Sequence, residues 1–231
     1  MEKLEFVPEG YPKYPKIETV FNRDKDFKVN ESSLRIPEVK NIRYWLVTEK
    51  IDGTSGRVVY DPNIDEMGKL FYGGRTDKSD EKFYERLGIP ELLARYFTLK
   101  KMKAVFPDVK DPVTFFMEFY GPKINSSGAL TDEVSFRIFD IRVGDIWLEW
   151  SSVEDIAGRL WMKPVPVYHM AASFEKVVEI AKTGVSMVGI FESRNRVLAE
   201  GVVCRTVPLL LRRNGQRLVF KLKKKDFRKE E

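Results

Sequence analysis

A chain of 231 residues, 43% hydrophobic and 32% charged, is long enough for one large domain with a sizeable core and too apolar for bulk disorder. Its single cysteine, Cys204, excludes a disulfide framework and a multi-cysteine zinc site, and no apolar run approaches the roughly 18 residues of a membrane span. The net charge of +5 is unevenly placed: eight basic residues and no acidic one fall between Gly201 and Lys225, which suits a polyanion or, read plainly, a solvated tail.

Short β-rich runs dominate. Arg43–Thr48 and Gly56–Tyr60 read as strands around a tight turn at Asp52-Gly53, and Lys69–Tyr72 as the next. Asp80–Leu87 reads as a helix, capped by Ser79 and ended by Gly88. Pro90 opens a second helix to about Met102, with Leu92, Leu93, Tyr96, Phe97 and Leu99 on its apolar side. Val113–Phe119, Ser135–Arg142 and Ile146–Glu149 are strands, the last two joined by a hairpin turn over Val143–Ile146. Ser151 or Ser152 begins a helix through about Trp161, and Lys163–Pro166 is a connector. Ser173 caps a helix over Phe174–Lys182. Ala199–Arg205 and Arg217–Leu222 are the last strands. Many strands with helices between them, and no regular βαβ alternation, predict an α+β fold. The opening residues hold no apolar core or cleavage signal, which predicts a cytoplasmic protein.

Chemistry concentrates at strand ends and turns. In Glu49-Lys50-Ile51-Asp52-Gly53 a lysine at a strand end can project into a cleft, and the glycine permits close approach of backbone to phosphate. Gly73-Gly74-Arg75-Thr76 is a glycine turn bearing an arginine, and Glu118-Phe119-Tyr120-Gly121 ends a strand. Phe136–Ile141 is a strand whose two aromatics, Phe136 and Phe139, are expected on one face. Glu200-Gly201-Val202-Val203 opens a strand with a carboxylate. Lys221-Leu222-Lys223 puts two lysines on one face, because strand side chains alternate with period two.

In this order the clusters resemble the motifs of the covalent nucleotidyltransferases, which include polynucleotide ligases and mRNA capping enzymes. The closest likeness is to the ATP-dependent RNA ligase 2 family. Glu49–Thr54 resembles its motif I, and Ala199–Val203 and Val219–Phe227 resemble motifs IV and V. The likeness extends from about Tyr14 to Lys225. It implies an α+β adenylation domain of ATP-grasp-like type, built of antiparallel sheets with flanking helices and an active-site cleft between sheets. Such relatives continue into a C-terminal OB or helical domain; the length of this chain instead predicts a single adenylation domain over residues 1–231, with no C-terminal OB or helical domain.

The resemblance also implies roles. Lys50 matches the nucleophile that takes AMP from ATP; the AMP passes to a 5′-phosphate end, and a 3′-hydroxyl displaces it to seal the strand. A nucleophilic lysine must attack as the neutral amine, and cationic neighbours favour that form. Glu49 matches the residue that meets the adenine edge. Phe139 matches the aromatic that stacks on the base, with Phe136 and Phe119 as rivals. Glu118 matches the ribose-binding carboxylate, and Val202 falls within the nucleotide site. Lys221 and Lys223 would neutralise the transferring phosphate. Glu200, assisted by Asp52, would hold Mg²⁺ or Mn²⁺, hard cations suited to carboxylate oxygen.

Arg75, with Ser55 and Arg57 nearby in sequence, would meet the nucleic acid, since a guanidinium fits a phosphate bidentately. Arg137, Arg142, Arg205, Arg212 and Arg213 are weaker phosphate candidates. Lys224, Lys225, Arg228 and Lys229 are solvated charges or nucleic-acid contacts, and His169 and Cys204 read as structural. Two positions depart from the relatives: nick-sealing RNA ligase 2 enzymes carry histidine where this chain has Asp52, and DNA ligases and capping enzymes carry arginine where it has Ser55. The expected partner is RNA, as nicked duplex or strand ends, with DNA, RNA–DNA hybrids and an accessory substrate-binding protein also considered. The competing readings are a minimal ATP-dependent DNA ligase, a capping guanylyltransferase, and a nucleic-acid-binding protein that has lost catalysis.

Overall fold

The computed structural model describes residues 4–194 and 197–227, so Arg228 and Lys229 lie outside the described residues. In chain order the strands are β1 (Glu5–Phe6), β2 (Phe21–Arg23), β3 (Val29–Leu34), β4 (Trp45–Lys50), β5 (Thr54–Asp61), β6 (Lys69–Gly74), β7 (Val113–Tyr120), β8 (Ser135–Val143), β9 (Ile146–Trp147), β10 (Val167–Ala172), β11 (Gly201–Arg205) and β12 (Val219–Lys223). The helices are α1 (Glu81–Arg86), α2 (Ile89–Ala94), α3 (Leu99–Val105), α4 (Trp150–Arg159), α5 (Phe174–Thr183) and α6 (Met187–Phe191). This is the α+β mixture that the sequence predicts. The strands β1, β2, β3 and β10 and the helix α6 are additions to it. No described helix is long and apolar enough to cross a membrane.

The chain divides into two compact units. One runs up to Pro15 and from Gly53 to Pro164; the other comprises Lys16–Asp52 and the chain from Val165 onward. The first unit is built on a six-stranded sheet in the order β1-β6-β5-β7-β8-β9, antiparallel except for the parallel β1–β6 pair. Successive residues of β7 point to opposite faces. Phe115 meets Phe97 at 5.1 Å on the helical side, while Phe116 meets Tyr14 at 5.0 Å on the side of the N-terminal segment.

The helix predicted from Pro90 is two helices. Phe97 is fully buried in the break between α2 and α3, and the Thr98 hydroxyl accepts from the Lys101 amide to cap the second. A capping threonine with a buried aromatic before it outweighs the continuous apolar pattern. Ser79 does not cap α1: its hydroxyl donates to the Thr76 carbonyl at 2.7 Å, and the Asp80 carboxylate takes the cap. Likewise α4 begins after Glu149 without a serine cap.

The second unit holds an antiparallel sheet in the order β10-β4-β11-β12, together with a β2–β3 hairpin. Register and alternation give the larger sheet two unlike faces. Trp45, Val47, Val202, Cys204, Phe220 and Leu222 lie in one apolar core with Val177 and Ala181 of α5. Each large side chain buried there contributes about 1.5–3 kcal/mol. The Ser173 hydroxyl accepts from the Lys176 amide and starts α5 as the sequence predicts. The opposite face carries Thr48, Lys50, Gly201, Val203, Lys221 and Lys223.

Candidate active site

Three strands of the second unit put Lys50, Lys221 and Lys223 on one face. Lys50 pairs with Gly201, and Gly201 with Lys223; Thr48 pairs with Val203, and Val203 with Lys221. The residue before β11 completes the group. Lys50 Nζ lies 2.5 Å from Glu200 Oε2, and Lys223 Nζ lies 2.5 Å from Glu200 Oε1. The Glu200 side chain is 9% exposed, so this carboxylate bridges two ammonium groups away from most solvent. Gly201 is required beside it, because a Cβ there would strike the Leu222 carbonyl.

Lys221 stands on the same face without a carboxylate of its own in this cluster. Burial holds its pKa below the usual lysine value, and the charges of Lys223 and Lys50 add to that; Glu200 and Glu18 oppose it. Three lysines around one carboxylate leave a net positive site suited to phosphate. The group offers an amine nucleophile, two cations for phosphate oxygens, and one carboxylate for a hard cation.

Among the described residues no three His, Cys, Asp or Glu side chains gather as a ready metal site. The oxygen chemistry of Glu200 still fits Mg²⁺ or Mn²⁺, since such ions take one or two carboxylates and fill their shells with water and phosphate. Asp52 lies half-buried in the turn two residues beyond Lys50.

Glu49 belongs to the other face of β4. It pairs with Val202 on the core side, and its carboxylate accepts from the Ser186 hydroxyl and, at 2.9 Å, from the Val188 amide. Ser186 also accepts from the Gly189 amide and so caps α6. Glu49 is 3% exposed, and its carboxylate is engaged at the start of that helix. Val202, expected within the nucleotide site, has its side chain fully buried in the apolar core. The sequence missed Ser186 because a five-residue helix 137 positions from Glu49 leaves no periodic signal.

In the first unit Ser55 and Glu118 face each other across β5 and β7, and the Ser55 hydroxyl donates to Glu118 Oε2 at 2.7 Å. Close strand approach is built in here too: a Cβ on Gly53 would strike the Phe119 carbonyl. Arg57 is fully buried. Its Nη2 lies 2.6 Å from Asp77 Oδ1, and its Nη1 donates to the Arg75 carbonyl at 3.4 Å. Hydrogen bonds from Lys13 and then from Arg57 hold the Asp77 carboxyl below the usual carboxylate range. Arg57 therefore braces the turn that carries the exposed Arg75, which corrects the expectation that Arg57 itself meets nucleic acid.

Phe136 and Phe139 do not share a face. Phe116 pairs with Asp140 and Met117 with Ile138, so Phe139 is the extra residue of a β-bulge. Residues three apart on a strand already lie on opposite faces, and the bulge brings Asp140 to the same side as Phe139, against Tyr14. Phe136 packs with Phe97 and Phe119 on the helical side, while Phe139 meets the Tyr14 ring edge-on at 4.9 Å. Tyr14 is itself tied to Asp140 Oδ2 at 2.9 Å. Phe136 and Phe119 are buried and Phe139 is half-buried, so Phe139 alone of the three keeps ring surface open.

The weaker arginine candidates sort by burial. Arg137 is buried and bonds the Tyr120 hydroxyl and the Pro164 carbonyl; Arg205 is buried. Arg142 pairs with Asp145, and Arg212 with Glu38 at 3.3 Å. Arg213 and Lys225 are exposed. Cys204 is fully buried, where burial pushes its thiol well above the ordinary value.

The RNA ligase family model matches residues 43–223. No curated protein matches the chain. Among solved structures the fold is similar to that of an RNA ligase from Naegleria gruberi. An aspartate-to-alanine mutant in apo form aligns with a TM-score of 0.62 at 20% identity, covering 96% of this chain and 58% of that one. A lysine-to-alanine mutant with ATP and Mn aligns at 0.60 and 20%, covering 97% and 59%. A lysine-to-methionine mutant with AMP and Mn aligns at 0.58 and 20%, again covering 97% and 59%. The chain thus spans about 58–59% of the length of these relatives.

Proposed function

The chain belongs to the RNA ligase family, and from that premise we propose that it joins RNA 3′-hydroxyl and 5′-phosphate ends with ATP, through an AMP adduct on Lys50. The supporting observation is the convergence of Lys50, Lys221, Lys223 and Glu200 on one sheet face. In this proposal residues 1–231 form one adenylation domain that acts on RNA ends in the cytoplasm.

In the first step Lys50 Nζ, once neutral, attacks the α-phosphorus of ATP. A P–N bond forms, the bond to the bridging oxygen breaks, and pyrophosphate leaves. Lys221 and Lys223 offset the negative charge on the phosphoryl oxygens, where fixed cations in a site of low water content act most strongly. Glu200 would hold a divalent ion, whose chemistry there would be Lewis-acid stabilisation of phosphoryl charge. Next a 5′-phosphate oxygen attacks the adduct and releases Lys50, giving an AMP-capped strand. The 3′-hydroxyl then attacks that 5′-phosphate, and AMP departs.

The Glu118 carboxylate, already oriented by Ser55, is the ribose-hydroxyl acceptor in this scheme, and Phe139 is the adenine platform. Glu49 supports the strand that presents Lys50 from the core side. Arg75 meets the nucleic acid. The test is incubation with labelled ATP and Mg²⁺, followed by each other nucleotide and by nicked RNA, DNA and mixed duplexes. The expected result is an acid-stable AMP adduct that is lost in Lys50→Ala, with sealing best on an RNA 3′-hydroxyl strand. Absence of the adduct sinks the proposal. A preference for GTP points to capping chemistry, and better sealing of a DNA 3′-hydroxyl strand points to a DNA ligase.

A further inference from the structure

We propose that the tip of the β2–β3 hairpin is a stacking contact for a nucleobase of the RNA substrate, with Phe27 as its platform. The inference deepens the RNA ligase reading and rests on it. Phe27 is 77% exposed and therefore contributes little to any core. Its backbone nevertheless sits at φ 60°, a left-handed conformation that bulky residues rarely adopt. An exposed aromatic ring in an uncommon backbone geometry is held by its surroundings, and the ties here can be named.

The turn is closed by Asp24. Its Oδ1 accepts from the amides of Asp26 and Lys28 at 2.9 and 3.0 Å, and the Phe27 amide donates to the Asp24 carbonyl at 3.1 Å. Arg23 then fixes Phe27 itself. Its Nη1 donates to the Phe27 carbonyl at 2.6 Å, and its Nη2 lies 2.5 Å from Oδ2 of Asp226, a residue only 5% exposed. Just before the other strand, Lys28 Nζ donates to the Lys225 carbonyl at 2.7 Å. Both sides of the hairpin are thus anchored to the turn Lys224–Asp226, which directly follows β12 and its Lys221 and Lys223.

The chemistry around the ring selects the ligand. Lys25, Lys28 and Lys225 supply cations, Asp24 is engaged in closing the turn, and Asp26 is the one exposed carboxylate of the tip. A flat apolar face among lysines is the combination that grips single-stranded nucleic acid, where bases stack and phosphates pair. A purely apolar partner would not need the lysines, and a phosphate alone would not need the ring. Anchoring to the strand of phosphate-binding lysines favours a strand near the reacting end.

The experiment uses the full chain and its Phe27→Ala, Phe27→Trp and Lys25→Ala variants, with fluorescein-labelled nicked RNA duplex and single-stranded RNA. Phe27→Ala is expected to weaken RNA binding about fivefold to 150-fold, the equivalent of one base–aromatic stack of about 1–3 kcal/mol. Phe27→Trp should retain binding. Lys25→Ala should lower the salt dependence by about one phosphate contact. Adduct formation from ATP without RNA should be unchanged in Phe27→Ala, as should Tm, because the ring is exposed. Wild-type RNA affinity in Phe27→Ala overturns the proposal, and so does failure of the wild type to bind RNA. If the wild type binds RNA but forms no adduct, the ligase reading falls and the Phe27→Ala binding comparison still decides the stack.

Discussion

Lys50 and Lys223, at the ends of two strands that do not adjoin, are held by one carboxylate, each ammonium 2.5 Å from a different oxygen of Glu200. That relationship makes the three side chains one unit, so their substitutions should not add independently. Lys50→Ala should abolish the AMP adduct outright. Lys223→Ala and Glu200→Ala should each slow adduct formation by about 10²–10³, the scale of losing one transition-state electrostatic partner. Gel assay of labelled adduct against time checks all three. A double variant lacking Glu200 and Lys223 should be less impaired than the product of the two single effects.

Lys221 makes a prediction about pH. Its folded pKa lies below the usual lysine value, chiefly through burial and then through Lys223 and Lys50. The unfolded chain therefore binds more protons between the folded value and the ordinary lysine value of 10.5, and stability from this group rises with pH across that window. Below the folded value the cost of the buried charge is present in full. Lys221→Met should then stabilise the protein at neutral pH while slowing adduct formation, and its stability advantage should shrink as pH approaches 10. Urea unfolding of both proteins at several pH values measures the difference.

Tyr72 works in the opposite direction. Burial first, and then the charges of Glu81 and Glu85, push its hydroxyl up to about 12. The unfolded tyrosine ionises near 10, so the folded state binds more protons between 10 and about 12. The stabilising contribution is complete below pH 10 and is lost as pH rises to about 12. Tyr72→Phe should lose less stability than the wild type over that interval, and denaturant midpoints at pH 9 and 11 would show whether it does.

Ser186 offers a test of architecture. Its hydroxyl donates to Glu49 and accepts from the Gly189 amide, and both side-chain partners are almost fully buried. Ser186→Ala removes a helix cap and takes a donor from a buried carboxylate, a loss of about 1–3 kcal/mol. Tm should fall by several degrees, and Ser186→Thr should restore much of it. Restoration by threonine separates loss of the hydroxyl from loss of packing.

What the sequence disclosed and what it hid follow from distance along the chain. Alternation within β12 placed Lys221 and Lys223 together, and the structure keeps them so. Lys50 and Glu200 lie 150 residues apart, and only the register of β4 against β11 joins them. The expectation that Phe136 and Phe139 share a face fails on alternation itself, since residues three apart lie on opposite faces; what the sequence does not signal is the bulge at Phe139, which shifts the phase from Asp140 onward. Arg57 reads as one more surface cation until its burial beneath the Arg75 turn is seen. Helix caps were legible where one hydroxyl had one use, as at Ser173, and misread where a neighbour competed, as with Ser79 and Asp80.

Gly201 stands in register between Lys50 on one side and Lys223 on the other. The backbones there approach so closely that no larger residue fits. The spacing of Lys50 and Lys223 is therefore set by the sheet's hydrogen-bond ladder. Substitutions in the apolar layer beneath, at Val202 or Leu222, can alter how firmly the sheet is held while leaving the two amines the same distance apart. The spacing of these two lysines and the stability of this unit thus rest on different layers of the sheet, and Gly201 lies where the ladder sets the first.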